Sequence, residues 1–193
     1  GILNTAIGQS ALYTNSTGAR NTAVGRSALQ NSTTAGDNTG IGFGASNAIT
    51  TGAYNTSLGS YSLYSNTTAS NSTAVGWQAG YNTTVTLTAV GSQALKSNTT
   101  GVNNTAVGAN SLGNNTTGQR NTAVGDGSLP ANTTGDKNSA FGNLAMEKAT
   151  TGAENSGFGY GVLNSLTTGN YNTAVGSLAL LSNTTASNNT AVG

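Results

Sequence analysis

Side chains able to do chemistry are few in this chain, and none of them is a histidine or a cysteine. That inventory removes Ser-His-Asp and Cys-His nucleophiles, histidine metal sites and a disulfide framework together. The five carboxylates are Asp37, Asp126, Asp136, Glu147 and Glu154. A glycosidase needs two of them facing across a cleft with pKa values pushed apart. Glu147 and Glu154 fall on different turns and form no such pair. The stretches Gly40-Ile41-Gly42-Phe43-Gly44 and Gly157-Phe158-Gly159-Tyr160-Gly161 look like phosphate-cradling loops, but such loops need a following helix. The calcium-binding nonapeptide of solenoids needs a repeated Asp, which is absent. The expectation is a non-enzyme with no catalytic residue, no metal and no cofactor.

Charge narrows the partners in the same way. Only 6 % of residues are charged and the net charge is +1. Nucleic-acid binding needs clustered Lys and Arg to displace counterions, and the six here are scattered. No apolar run reaches the length of a membrane span and no signal peptide is evident, so membrane insertion is not expected. Without cysteine, redox chemistry says nothing of compartment. Asn-X-Ser/Thr triplets at Asn15, Asn66, Asn98, Asn115, Asn132 and Asn183 would accept glycans in a eukaryotic secretory pathway. They also follow directly from the repeat described next.

What positions every side chain is a periodic unit, best seen in Asn21-Thr22-Ala23-Val24-Gly25. Near-copies end at Gly8, Gly25, Gly42, Gly59, Gly76, Gly91, Gly108, Gly125, Gly142, Gly159, Gly176 and Gly193. Every step is 17 residues except one of 15, from Gly76 to Gly91. A fixed short period marks a repeat architecture. The whole of residues 1–193 reads as a single array of about eleven coils with one shortened coil at 77–91. Both ends fall inside a repeat, so the chain is expected to be a segment of a longer fibre protein. Low charge and strict period together argue against a disordered tract.

Numbering the unit from the lead Asn as position 1, position 2 is always Thr or Ser and position 3 always small. Position 4 is always apolar: Ile7, Val24, Ile41, Leu58, Val75, Val90, Val107, Val124, Phe141, Phe158, Val175 and Val192. Positions 8 and 9 are usually a small residue and Leu, as in Ala28-Leu29 and Ala94-Leu95. The unit closes on Asn-Thr-Thr-Gly or a variant. Thr-Ala-Val alternates with the period of a strand, and Ala-Leu with its flanks reads as a second. Gly and Asn between them supply turns. A unit of 17 is too short for a strand-helix-strand crossover. The expected fold is therefore all-β, a parallel β-solenoid or β-roll with two short strands per coil.

One coil alone cannot offset about 1–2 kcal/mol of backbone entropy per residue. Stacked coils would build apolar columns at positions 4 and 9, the position 4 column being the expected core, and polar ladders of Asn and Thr. The small residues at positions 3 and 8 would then face outward and let a second chain approach closely. At position 17, Arg20 should meet Asp37 one coil on, and Arg120, Lys137 and Glu154 should stack, giving exposed ion pairs. The shortened coil has Gly80 where Leu is usual, Leu87 where Asn is usual, and Trp77 nearby. It reads either as a tightened coil in which Trp77 or Tyr81 replaces the missing Leu, or as a binding or bending point.

The Asn-Thr-Ala-Val-Gly lead, the following Ala-Leu and the Asn-Thr-Thr-Gly turn resemble the head repeats of YadA-like trimeric autotransporter adhesins. They resemble equally the related repeats of phage and viral tail-fibre proteins, although this unit is longer than the common adhesin one. The resemblance covers Asn4 to Gly193. It implies a parallel β-roll in which three identical chains associate into a fibre or head exposed outside a cell or virion. The leading expectation is thus an extracellular structural and adhesive segment, a homotrimer that projects a binding tip and contacts a host-surface glycan or protein. Two alternatives remain open. Uncapped solenoid ends suit a filament that stacks end to end, and the Thr rank at position 2 suits an ice-binding face.

Overall fold

The computed structural model describes residues 1–193, and they form one β-solenoid. Twelve three-residue strands, β1 (Thr5–Ile7) to β12 (Thr190–Val192), sit at the lead motif of each coil. They lie in one parallel sheet in chain order. Thr22 pairs with Thr39, Ala23 with Gly40 and Val24 with Ile41. The register survives the shortened coil, where Thr73 pairs with Thr88 and Val75 with Val90. At about 4.8 Å per strand the array is a rod roughly 55 Å long.

The expected second strand is absent. Ala28 and Leu29 are both fully buried, and two consecutive inward side chains are incompatible with strand alternation. The backbone solves this by turning left-handed at positions 7 and 9, with φ of 58° at Ser27 and 49° at Leu29, Leu95 and Leu112. A left-handed leucine costs about 1–2 kcal/mol, comparable to the roughly 1.5–3 kcal/mol that burying it contributes. These turns still bond to the next coil, Leu29 N donating to Ala45 O at 3.0 Å. Only 22 of the 126 backbone hydrogen bonds lie in the strands, so the coils are laced together all the way round.

The interior is the reverse of what hydrophobicity alone suggests. Position 3 points inward: Ala23, Ala74, Ala89, Ala106, Ala123, Ala140 and Ala174 are fully buried. The position 4 column expected as the core, Ile7, Val24, Ile41, Leu58, Val75, Val90, Val107, Val124, Phe141, Phe158, Val175 and Val192, points outward and is half-exposed or exposed. The cause is width. A side chain built on Gly40 would lie 3.0 Å from Leu29 Cγ, and one on Gly157 would lie 3.0 Å from Met146 Cε and Val162 Cγ1. The Leu wall opposite leaves room for Ala, Gly or Ser and nothing larger. Positions 3 and 8 therefore line the core and offer no route for a second chain. Position 9 keeps its expected place, with Leu29, Leu63, Leu95, Leu112, Leu129 and Leu163 fully buried.

Buried amides complete the coil. Asn121 Nδ2 donates to Gly135 O at 2.7 Å, closing its own coil, while its Oδ1 accepts from Asn138 N at 2.9 Å in the next. The same pair of bonds recurs at Asn21, Asn38, Asn138 and Asn155. Each such Asn satisfies two backbone groups, a carbonyl of its own coil and an N–H of the next. A second ladder runs through Asn98, Asn115 and Asn132, Asn115 Nδ2 donating to Asn98 Oδ1 and Asn132 Nδ2 to Asn115 Oδ1, both at 2.8 Å. It ends where Ala149 takes the next rung, leaving Asn132 Oδ1 without a partner. Near the N-terminal end Ser46 Oγ donates to Ser57 Oγ at 2.9 Å inside the core. That polar pair separates a small apolar cluster around Leu12, Leu29 and Ile49 from the main one. Position 5 tolerates only glycine: Gly42 has φ 133°, and a Cβ there would lie 2.6 Å from Gly59 C and O.

Candidate functional site

The fold leaves one face of the sheet without a partner. On each strand positions 2 and 4 point outward together, giving a hydroxyl column from Thr5 to Thr190 beside the apolar column from Ile7 to Val192. Ile41, Leu58, Val107 and Phe158 are 36–44 % exposed. Phe141 and Phe158 stack one above the other on this face, ring centroids 5.1 Å apart. Positions 17 and 6 flank it on either side.

The position 17 edge carries the expected ion pairs. Arg20 grips Asp37 through two hydrogen bonds, 2.6 and 2.7 Å. Mainly through them, Asp37 is held below the usual carboxylate range and Arg20 is raised. Lys137 Nζ donates to Glu154 Oε1 at 2.9 Å, which raises the lysine. Arg120, one coil before Lys137, pushes slightly the other way. Asp136 turns to the backbone instead, accepting from Gln119 N at 2.7 Å. Glu147 accepts from Asn164 Nδ2 at 2.8 Å. Across the rod, no three carboxylates converge, and the surface carries no enclosed pocket.

The other edge holds a local aromatic corner around the shortened coil. Phe43 meets Tyr61 edge-on at 4.9 Å, and Tyr61 meets Tyr64 at 5.4 Å. Tyr64 and Tyr81 stack at 5.2 Å with rings only 4° apart. The Arg26 guanidinium lies 5.6 Å from the Phe43 ring centre, and Lys96 Nζ lies 5.9 Å from that of Trp77. Neither Trp77 nor Tyr81 fills the place of the missing Leu. Leu87 does, turned inward and 3 % exposed. Side-chain space at Gly80 is bounded by Leu63 and Leu87 at 3.2 and 3.3 Å. Trp77 stays outside, 48 % exposed.

A longer echo also escapes a coil-by-coil reading. Along position 17, Arg20, Asp37, Tyr54 and Asn71 recur seven coils later as Lys137, Glu154, Tyr171 and Asn188. Phe43, Tyr61 and Tyr64 of the aromatic corner correspond to Tyr160, Leu178 and Leu181, all three exposed. Arg26 corresponds to Asn143. The signal was present as substitutions within charge and shape class, spread over a spacing of seven units. No protein-family model, no curated protein and no solved structure matches this chain.

Proposed function

We propose that this chain is a rod-like structural segment of an extracellular adhesive fibre, in which three copies pack side by side through their Thr/Val faces and project a binding tip. The observation that carries the reading is the outward apolar column, unbroken through twelve strands and not required by the coil's own core. From position 17 to position 6 the face measures about 20 by 55 Å, or on the order of 1,100 Å². Monomeric proteins rarely leave so long an apolar strip in water. Resemblance to trimeric fibre repeats supports three copies.

Light scattering on the segment tests this. The expected mass is three times the 18.9 kDa chain, falling to one chain in Val107→Asp with the coil fold retained by circular dichroism. A wild-type monomer overturns the reading. A second reading is favoured by the outward Thr column, whose hydroxyls repeat every strand on a flat face. It takes the rod as an ice-binding surface, and it requires a monomer that halts ice growth and loses that ability when Thr105 and Thr122 become Val. A ladder of masses would instead point to filaments stacked end to end.

A further inference from the structure

We infer that the aromatic corner at the shortened coil is a binding site for an acidic polysaccharide, a chain of pyranose rings carrying carboxylate or sulfate groups. The argument begins with what the corner is not. Gly80 leaves the Leu position of the shortened coil without a side chain, and Leu87 fills it. Trp77, the single tryptophan of the chain, is not needed to fill the core and stands half in water, with Lys96 over its ring. The rings are also local: Phe43, Tyr61, Tyr64, Trp77 and Tyr81 fall on three successive coils.

Ring chemistry and charge then select the ligand. The faces of aromatic rings are weakly negative and attract the polarised C–H bonds on the flat side of a sugar. Phe43 and Trp77 stand two coils apart in one column, about 10 Å on the strand spacing, so an extended chain can cross both. Amides line the adjacent column, Gln93 Nε2 donating to Gln78 Oε1 at 3.4 Å, within reach of sugar hydroxyls. The two cations at the ends, Arg26 and Lys96, belong to neither of the chain's ion pairs. No carboxylate occurs between Asp37 and Asp126. An uncompensated cation at each end, with rings between, is complementary to an anionic rather than a neutral chain.

Trp77 is its own reporter. Titrating the intact chain with a galacturonic acid hexamer should shift tryptophan emission saturably, and added salt should weaken the response. In Lys96→Gln and Tyr81→Ala, with Trp77 in place, binding should weaken by about tenfold each, the loss of one charge-assisted or stacking contact. The mass by light scattering should be the same in all variants, which separates this site from association through the Thr/Val face. No emission change with the acidic hexamer overturns the site. An equal response to a neutral glucose hexamer overturns the acidic class. Emission that shifts with protein concentration alone overturns the proposal in favour of a second protein chain covering the corner.

Discussion

Ala106 and Val107 are neighbours in one strand, yet they live under different rules. Along the inner wall position 3 admits Ala, Gly and Ser, while along the outer face position 4 ranges over Val, Ile, Leu and Phe. The inner wall is set by a gap that closes to 3.0 Å wherever a larger side chain is imagined. The outer face obeys no such gap and still never becomes polar. Size is selected inside and apolarity outside, which separates what folds the coil from what the assembled rod presents.

The most severe way to break this comparison is a charge on each side of one strand. Ala106→Asp places a carboxylate in the buried column, where an unpaired charge costs several kcal/mol. Cooperative thermal unfolding should be lost. Val107→Asp should leave the monomer's unfolding free energy within about 0.5 kcal/mol and act on association alone. Equal damage from both, measured by urea denaturation, would return position 4 to the core.

A smaller effect sharpens the same contrast at the shortened coil. Leu87→Ala empties the space beside Gly80 and should cost about 2–5 kcal/mol. Trp77→Ala, on the outside, should change stability by no more than about 0.5 kcal/mol. The reverse order would mean that Trp77, not Leu87, completes that coil.

Next come the polar columns. Asn121→Ala leaves Asn138 N buried without a partner and takes from Gly135 O one of its two amide donors, the other being Asn132 Nδ2, a loss of about 1–3 kcal/mol. Thr122→Ala, one residue on and facing outward, should be nearly silent. Chemical denaturation of the two variants side by side reads the difference.

The exposed ion pair gives the smallest effect and a sign. Because Asp37 is lowered in the folded chain, its contribution is present above the ordinary aspartate pKa. It disappears as pH falls through the lowered value. Lys137 is raised, so its contribution is present below the ordinary lysine pKa and disappears as pH climbs through the raised one. Wild type should melt slightly above Asp37→Asn at neutral pH, and the two should converge in acid.

Much of this was legible beforehand. The period of 17 with its single step of 15, the parallel stacking, the Leu column and the pairing of Arg20 with Asp37 all follow from spacing. The side of the sheet that Val takes does not. Alternation divides Thr-Ala-Val into two faces without saying which is inside, and hydrophobicity points to the wrong one because the lumen is too narrow for Val. The usable clue was the restriction of position 3 to the three smallest residues. The second strand failed for a related reason: Ala-Leu can bury both members only by leaving strand geometry. At the shortened coil both oddities were visible, Gly80 for Leu and Leu87 for Asn. That one compensates the other became clear only from their contact across the lumen.

The lacing of each turn to the next has a mechanical consequence. Its hydrogen bonds run along the rod, so a pull on the two ends loads them lengthwise and one coil at a time. Such a rod lengthens by peeling, each released coil paying out about 58 Å of chain from 17 residues. The column of lead Asn residues is interrupted at the shortened coil, where Ser72 and Leu87 stand in place of Asn and Ser72 Oγ has no partner. Under tension the molecule is a brake of repeated small yields, and single-molecule extension should show that step beginning at the shortened coil.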